Sequence, residues 1–150
     1  MEFTEILGAA LSVMVDVKFG TLSTVDEEGF PRSRWMSPTT LGRSSGVIYA
    51  VTAENLAKVR HIRANPKVEW GFQSANLGSV VRLRGLARLT SNPLLTAEVL
   101  EAIGPHLGVF WRIVDNPRQL VVIETTVQSA VLLNSISLER FEAEVHDAHA

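Results

Sequence analysis

VIYAVTAENLAKVRHIRANPKVEWGFQSANLGSVVRLRGLARLT, residues 47–90, is the stretch that decides the fold. It opens with a nearly continuous apolar run over residues 47–52, which is typical of a buried strand. The period then changes to that of a short helix, which Asn65-Pro66 ends. Apolar and polar residues alternate over residues 67–74 and 81–89, as they do in half-buried strands. The stretch therefore predicts a strand, a helix and two more strands.

The sequence before this stretch predicts a helix and a hairpin. From Phe3 to Met14, apolar residues recur every three or four positions, as on one face of an amphipathic helix. A turn at residues 26–29 then separates two runs rich in strand-forming residues, 17–25 and 30–40. Pro31 places the second run at a sheet edge or at the start of a strand.

The sequence after it completes a mainly β chain with short helices. Asn92-Pro93 opens a helical stretch that ends at Ile103, and residues 120–123 and 130–133 predict one bent strand or a paired ribbon. We expect residues 135–150 to form a helix or a loose tail. About six strands joined mostly by hairpins predict a single domain over residues 1–150, built as a small antiparallel barrel.

Composition excludes several classes of protein. With 150 residues and 46% hydrophobic residues, the chain can bury one core and is not disordered. It contains no cysteine, which excludes disulfides, thiolate metal sites and cysteine nucleophiles. The four histidines lack metal-ligand spacing, and no metal site is predicted. No apolar run approaches the ~18 residues of a membrane span, and the first residues lack the basic region of a signal peptide. We expect a cytoplasmic protein that does not bind membranes.

The charges are segregated along the chain, although the net charge is only −2. Residues 1–29 carry −5, residues 30–90 carry +8 and residues 91–150 carry −5. The basic middle segment is suited to an anion, either a nucleic acid or a phosphorylated small molecule. The alternative is that these bases lie on solvated strand faces and are neutralised by the acidic flanks.

Four basic or hydroxyl residues could bind a phosphate together. Arg32 and Arg34 share a face of their predicted strand because side chains repeat every two residues. Two guanidinium groups on one face can bind a dianionic phosphate through bidentate hydrogen bonds. Thr52 closes the apolar strand and Lys58 lies on the helix that follows, where helix amides also favour an anion.

Together, the run Pro31-Arg32-Ser33-Arg34, Thr52, Lys58, Asn65-Pro66 and Gly85 resembles the FMN-binding split-barrel family. That family includes pyridoxamine 5′-phosphate oxidase and smaller general stress proteins, and the resemblance spans roughly residues 3–130. It implies a split antiparallel β-barrel that forms a homodimer, with FMN in a cleft between the two barrels.

The resemblance also implies a set of cofactor-binding residues. Arg34 matches the arginine that binds the FMN phosphate, Thr52 and Lys58 match phosphate-binding positions, and Val51 falls in the same segment. The backbone just after Arg34 would contact the edge of the flavin ring. Apart from the resemblance, Trp111 is a candidate for a wall beside the flavin or the substrate, because an aromatic side chain can stack on a flavin; the alternative is packing in the core or at an interface. The predicted cofactor-binding residues are Arg32, Arg34, Trp35, Met36, Ser37, Val51, Thr52, Lys58 and Trp111.

The chain departs from the family pattern at several positions. Leu56 stands where the family has a serine before the lysine, and Val80 stands where the oxidase has a glutamine that reaches the flavin. The oxidase's residues for the substrate phosphate have no counterpart in residues 98–112, and its C-terminal Arg-x-x-x-Trp segment is absent. We therefore expect a chain that is not a true pyridoxamine 5′-phosphate oxidase.

Two functions follow from this resemblance. The first is an FMN-dependent oxidoreductase whose substrate is unknown and for which no catalytic side chain is assigned, since the flavin carries the redox step. The second is a non-enzymatic, stress-associated protein that binds FMN; a deazaflavin could replace FMN in either. A nucleic-acid surface is disfavoured, because Trp70 and Phe72 read as core residues and no recognition motif accompanies the charge.

Overall fold

The computed structural model describes residues 2–42, 46–104 and 119–145. Within these ranges the chain forms seven strands and three short helices. Their bounds are α1 Phe3–Val17, β1 Gly20–Val25, β2 Pro31–Met36, β3 Val47–Ala53, α2 Ala57–Ala64, β4 Lys67–Gln73, β5 Ser79–Thr90, α3 Pro93–Ile103, β6 Leu120–Asn134 and β7 Arg140–Glu144. None of these three helices has the length and apolar character needed to cross a membrane.

The strands form one antiparallel sheet in the order β2-β1-β4-β5-β6-β3, and β7 also pairs with β6. The long strand β6 divides the sheet, because residues 120–126 pair with β3 whereas residues 129–133 pair with β7. A bridge from Thr39, just after β2, to Tyr49 of β3 joins the two ends of the strand order without closing the sheet. The prediction of a mainly β, split antiparallel barrel is confirmed.

The main core lies between α1 and the inner face of the sheet. The predicted helical stripe is confirmed, since Ile6, Leu7, Ala10 and Met14 are all buried. The predicted core residues Trp70 and Phe72 are 0% and 2% exposed, and the Trp70 Nε1–H donates to Thr125 Oγ1 at 3.1 Å. On the outer face, α3 covers a second cluster with residues of β3 and β6.

The two strand signals at residues 120–123 and 130–133 belong to one strand, β6, which carries a β-bulge. Arg84 pairs with Ser129 whereas Gly85 pairs with Val127, so Gln128 has no partner on β5. A Cβ atom at Gly85 would lie 2.2 Å from the Thr126 carbonyl oxygen. The close approach of β5 and β6 beside the bulge therefore requires glycine.

The C-terminal segment corrects the predicted helix or loose tail. Residues 140–144 form β7 and pair with β6. Phe141 and Ala143 are half-buried and alternate with three exposed charged residues, which is the period of a strand rather than of a helix. Helix α1 also extends to Val17, so the first strand begins at Gly20 instead of residue 17.

Candidate anion site

Arg34 lies on the inward face of the edge strand β2. The pairing register places Arg34 opposite Leu22 and Arg32 opposite Thr24, so the two arginines share a face as predicted. Arg34 is half-buried, and its Nη1 donates to the Leu22 carbonyl oxygen at 3.1 Å and to Thr24 Oγ1 at 2.7 Å. Burial, followed by the charge of Arg32, lowers the pKa of the Arg34 guanidinium below its ordinary value.

Lys58 approaches the same region from the first turn of α2. Its Nζ donates to Oγ1 of Thr52 at 3.2 Å, and Thr52 is fully buried near the end of β3. Burial, followed by the positive charge of Arg34, lowers the pKa of Lys58 from 10.5 to about 8. Because the charge of Arg34 contributes to this shift, the two cations, one on a strand and one on a helix, lie within electrostatic range of each other.

The positive charge of this site is only partly compensated. Arg32 is paired with Asp26 across 3.4 Å in the hairpin. Neither Arg34 nor Lys58 forms an ion pair with a carboxylate of residues 2–42, 46–104 or 119–145. Two half-buried cations beside hydroxyl groups make a site that suits an anion with several oxygen atoms, such as a phosphate.

The structure adds Thr24 and His61, which the sequence analysis missed. Thr24 is fully buried, His61 is 3% exposed, and Thr24 Oγ1 lies 2.9 Å from His61 Nδ1. Thr24 also accepts from Arg34, so it joins β1, β2 and α2. Two signals were available in the sequence: Thr24 is a polar residue at an inward position of β1, and His61 follows Lys58 by one helical turn.

The other predicted residues lie elsewhere around β2 and β3. Met36 shares the face of Arg34 and packs against the core. Ser37 is half-buried just beyond the end of β2. Val51 packs in the outer cluster with α3, on the opposite face from Thr52. Trp111 lies outside the described residues.

Trp35 lines a separate groove on the outer face of the sheet. Its side chain is 74% exposed and alternates with that of Arg34, so it points away from the anion site. The groove has a volume of about 1000 Å³. Its lining includes Phe19, Trp35, Glu69, Leu77, Val80 and Arg82. The groove and the cation pair therefore lie on opposite faces of β2, and the two converging cations have the chemistry of a phosphate site.

Residues 8–131 match the family model of pyridoxamine 5′-phosphate oxidase, so the chain belongs to that family. A search of curated proteins finds no match.

Solved structures share the fold at low sequence identity. A Clostridium acetobutylicum protein related to general stress protein 26 superposes with a TM-score of 0.76 and 12% identity, covering 95% of this chain and 96% of that one. A heme binding protein from Mycobacterium smegmatis gives a TM-score of 0.74 and 17% identity over 93% of this chain and 57% of that one. An F420 reductase superposes with a TM-score of 0.62 and 20% identity, covering 79% of this chain and 93% of that one. These identities support the fold and no particular ligand.

Proposed function

We propose that the protein is an FMN-dependent oxidoreductase with an unidentified substrate. The observation that carries the proposal is the pair of half-buried cations, Arg34 and Lys58, without carboxylate partners among the described residues. They approach from a strand and from a helix, so two separate elements of the fold could bind one phosphate. Thr52 completes the phosphate site with a hydroxyl group, and Arg32 adds charge at its edge.

The flavin ring would lie along β2. Within the described ranges β2 pairs only with β1, so its other edge presents backbone groups that can contact a ring. We propose that Trp35, Met36 and Ser37 contribute these groups, with Val51 in the neighbouring segment and Trp111 as a wall. When bound, FMN supplies the redox chemistry, while the protein supplies binding and orientation.

Two other functions have some support. A deazaflavin is the alternative cofactor, and an F420 reductase is among the proteins that share this fold. The similarity to a relative of general stress protein 26, together with the missing substrate-phosphate residues, favours a non-enzymatic FMN-binding protein. Both alternatives use the same anion site. The first differs from the main proposal in the ring of the bound ligand, and the second differs in that the protein binds FMN without turning over a substrate.

We also propose that the protein is a cytoplasmic homodimer that binds neither nucleic acid nor membrane. The resemblance implies that FMN lies between two barrels, which requires a second copy of the chain. Light scattering of the FMN complex at micromolar concentration should give the mass of a dimer. A monomer that retains FMN would contradict this proposal.

The visible absorption spectrum of the purified protein, followed by mass spectrometry of the released ligand, tests the cofactor. A yellow protein that releases FMN supports the proposal, whereas a released deazaflavin supports the alternative. Added FMN that does not bind would contradict the proposal.

Turnover assays with reduced nicotinamides and with pyridoxamine 5′-phosphate then separate an enzyme from a binding protein. We expect pyridoxamine 5′-phosphate oxidation to be absent or marginal, because the family's second phosphate site has no counterpart in the sequence.

A further inference from the structure

A chain of three hydrogen-bonded side chains connects helix α2 to Arg34. His61 Nδ1 lies 2.9 Å from Thr24 Oγ1, and the same oxygen lies 2.7 Å from Arg34 Nη1. His61 and Thr24 are both buried, so solvent does not compete for these bonds. We propose that His61 is a positioning residue that, through Thr24, fixes the Arg34 guanidinium in the orientation that binds phosphate; this inference rests on the proposed function.

The donors and acceptors in this chain follow from the chemistry of the three groups. A guanidinium can only donate, so Thr24 Oγ1 accepts from Arg34. The Thr24 hydroxyl proton then needs an acceptor, because a buried donor without a partner is costly. Among the described residues, His61 Nδ1 is the acceptor within hydrogen-bond distance, which places the ring proton on Nε2. His61 thereby sets the direction in which the Thr24 oxygen presents its lone pairs to Arg34.

The consequence for Arg34 is a fixed orientation with free donors. Nη1 carries two protons, and the Leu22 carbonyl and Thr24 accept them. The N–H groups on Nε and Nη2 have no hydrogen bond to any described residue and are available to an anion. His61 also follows Lys58 by one turn of α2. The helix therefore supplies both a phosphate ligand, Lys58, and the group that orients the opposing ligand.

Variants of His61 and Thr24 test the inference. His61→Leu keeps comparable volume and removes the acceptor, whereas His61→Asn can return an acceptor near the position of Nδ1. We expect His61→Leu to weaken FMN binding by roughly 2- to 13-fold, the range for one neutral hydrogen bond, with riboflavin affinity unchanged. His61→Asn should recover most of the loss. Thr24→Val should weaken FMN binding as much as His61→Leu does. The double variant should lose no more FMN affinity than either single variant, because all three variants break the same series of hydrogen bonds.

A measurement on the ligand-free protein separates this inference from the choice of cofactor. The ¹⁵N order parameter of the Arg34 Nε–H should be close to that of a rigid group, about 0.85, in the wild type and in His61→Asn. It should fall below about 0.6 in Thr24→Val and His61→Leu. Wild-type protein that binds FMN no better than riboflavin would contradict the proposed function and leave this measurement valid. An Arg34 that stays equally ordered in both variants, or equal losses for FMN and riboflavin, would overturn the inference. If His61→Leu does not fold, Thr24→Val decides.

Discussion

Two groups of basic residues contribute to the excess of positive charge in residues 30–90. They differ in the burial of their side chains and in the partners that these side chains have. Arg34 and Lys58 are half-buried, point to the inside of the sheet and lack carboxylate partners in the described chain. The arginines of β5 alternate on its outer face and are exposed. Arg88 pairs with Glu124 across 2.8 Å, which raises its pKa, and Arg84 donates to Ser129 Oγ.

The difference shows that charge along a sequence predicts an anion site only when the side chains also converge. On β5 the interpretation of solvated strand faces applies to Arg82, Arg84 and Arg88. On β2 the same alternation places Arg34 inward, where burial strengthens its interaction with an anion. The face on which a base lies therefore decides between a binding group and a solubilising group.

The largest expected effect follows from removing either inward cation. Arg34→Ala and Lys58→Ala should each weaken FMN binding by about 10- to 150-fold, because a hydrogen bond to a charged group contributes roughly 1.5–3 kcal/mol. Riboflavin, which has the same ring without the phosphate, should bind as before. Titration calorimetry with both ligands measures the two affinities.

Arg60→Ala is the matched control for these variants. Arg60 is also a base of α2, but its side chain is 61% exposed and lies 3.7 Å from Glu27. Its removal should leave FMN affinity unchanged. If riboflavin lost as much affinity as FMN in Arg34→Ala, the phosphate assignment would be wrong.

A second variant tests whether the packing of β5 can be weakened without changing the anion site. Gly85→Ala would place a methyl group against the Thr126 backbone, and we expect it to lower the free energy of unfolding by about 1–3 kcal/mol. The preference of the remaining folded protein for FMN over riboflavin should not change. Urea denaturation measures the first effect. Gly8→Ala is the control, since a Cβ atom at Gly8 would meet no neighbouring atom within 4 Å beyond its own helix backbone and adjacent residues. Alanine is also favoured over glycine in an exposed helix interior.

Much of the fold and part of the site could be predicted from the sequence. The spacing of apolar residues located α1, β4 and β5, and the face shared by Arg32 and Arg34 followed from alternation alone. Thr24 and His61 were missed because their contact joins β1 to α2, and local spacing carries no information on that packing. The pairing of Arg32 with Asp26 likewise depends on the hairpin register. Long-range pairing therefore determines which predicted bases remain free to bind an anion.

A third prediction concerns the pH dependence of binding. In the free protein the pKa of Lys58 is about 8, so at lower pH the side chain is charged and ready for phosphate. Above this value, binding must first return a proton to Lys58, because a bound anion favours the charged form. FMN affinity should therefore fall as pH rises from 8 to 9.5, by at most about tenfold per unit, while riboflavin affinity stays level.

Lys58→Arg provides the control for this prediction, since a guanidinium does not titrate in this range. The fall in FMN affinity above pH 8 should disappear in that variant.

The same pKa also has a consequence for the stability of the folded protein. Between about 8 and 10.5 the folded protein binds fewer protons at Lys58 than the unfolded chain does, so the contribution of Lys58 to stability should increase with pH in that window. If the FMN affinity of the wild type did not change between pH 8 and 9.5, Lys58 would not contact the phosphate.

The smallest effect is expected from the outer arginines of β5. Arg82→Ser removes a cation that lines the groove beside Trp35, on the face opposite Arg34. At physiological salt, charges of exposed groups are screened within about 8 Å, so the change should alter FMN affinity by less than about twofold. Arg88→Ser, which frees Glu124, should behave in the same way. Fluorescence titration of FMN at low and at physiological salt measures both. A loss in Arg82→Ser as large as that in Arg34→Ala would place the phosphate in the outer groove, because no screened charge on the other face could produce it, and the two basic regions would then exchange their roles.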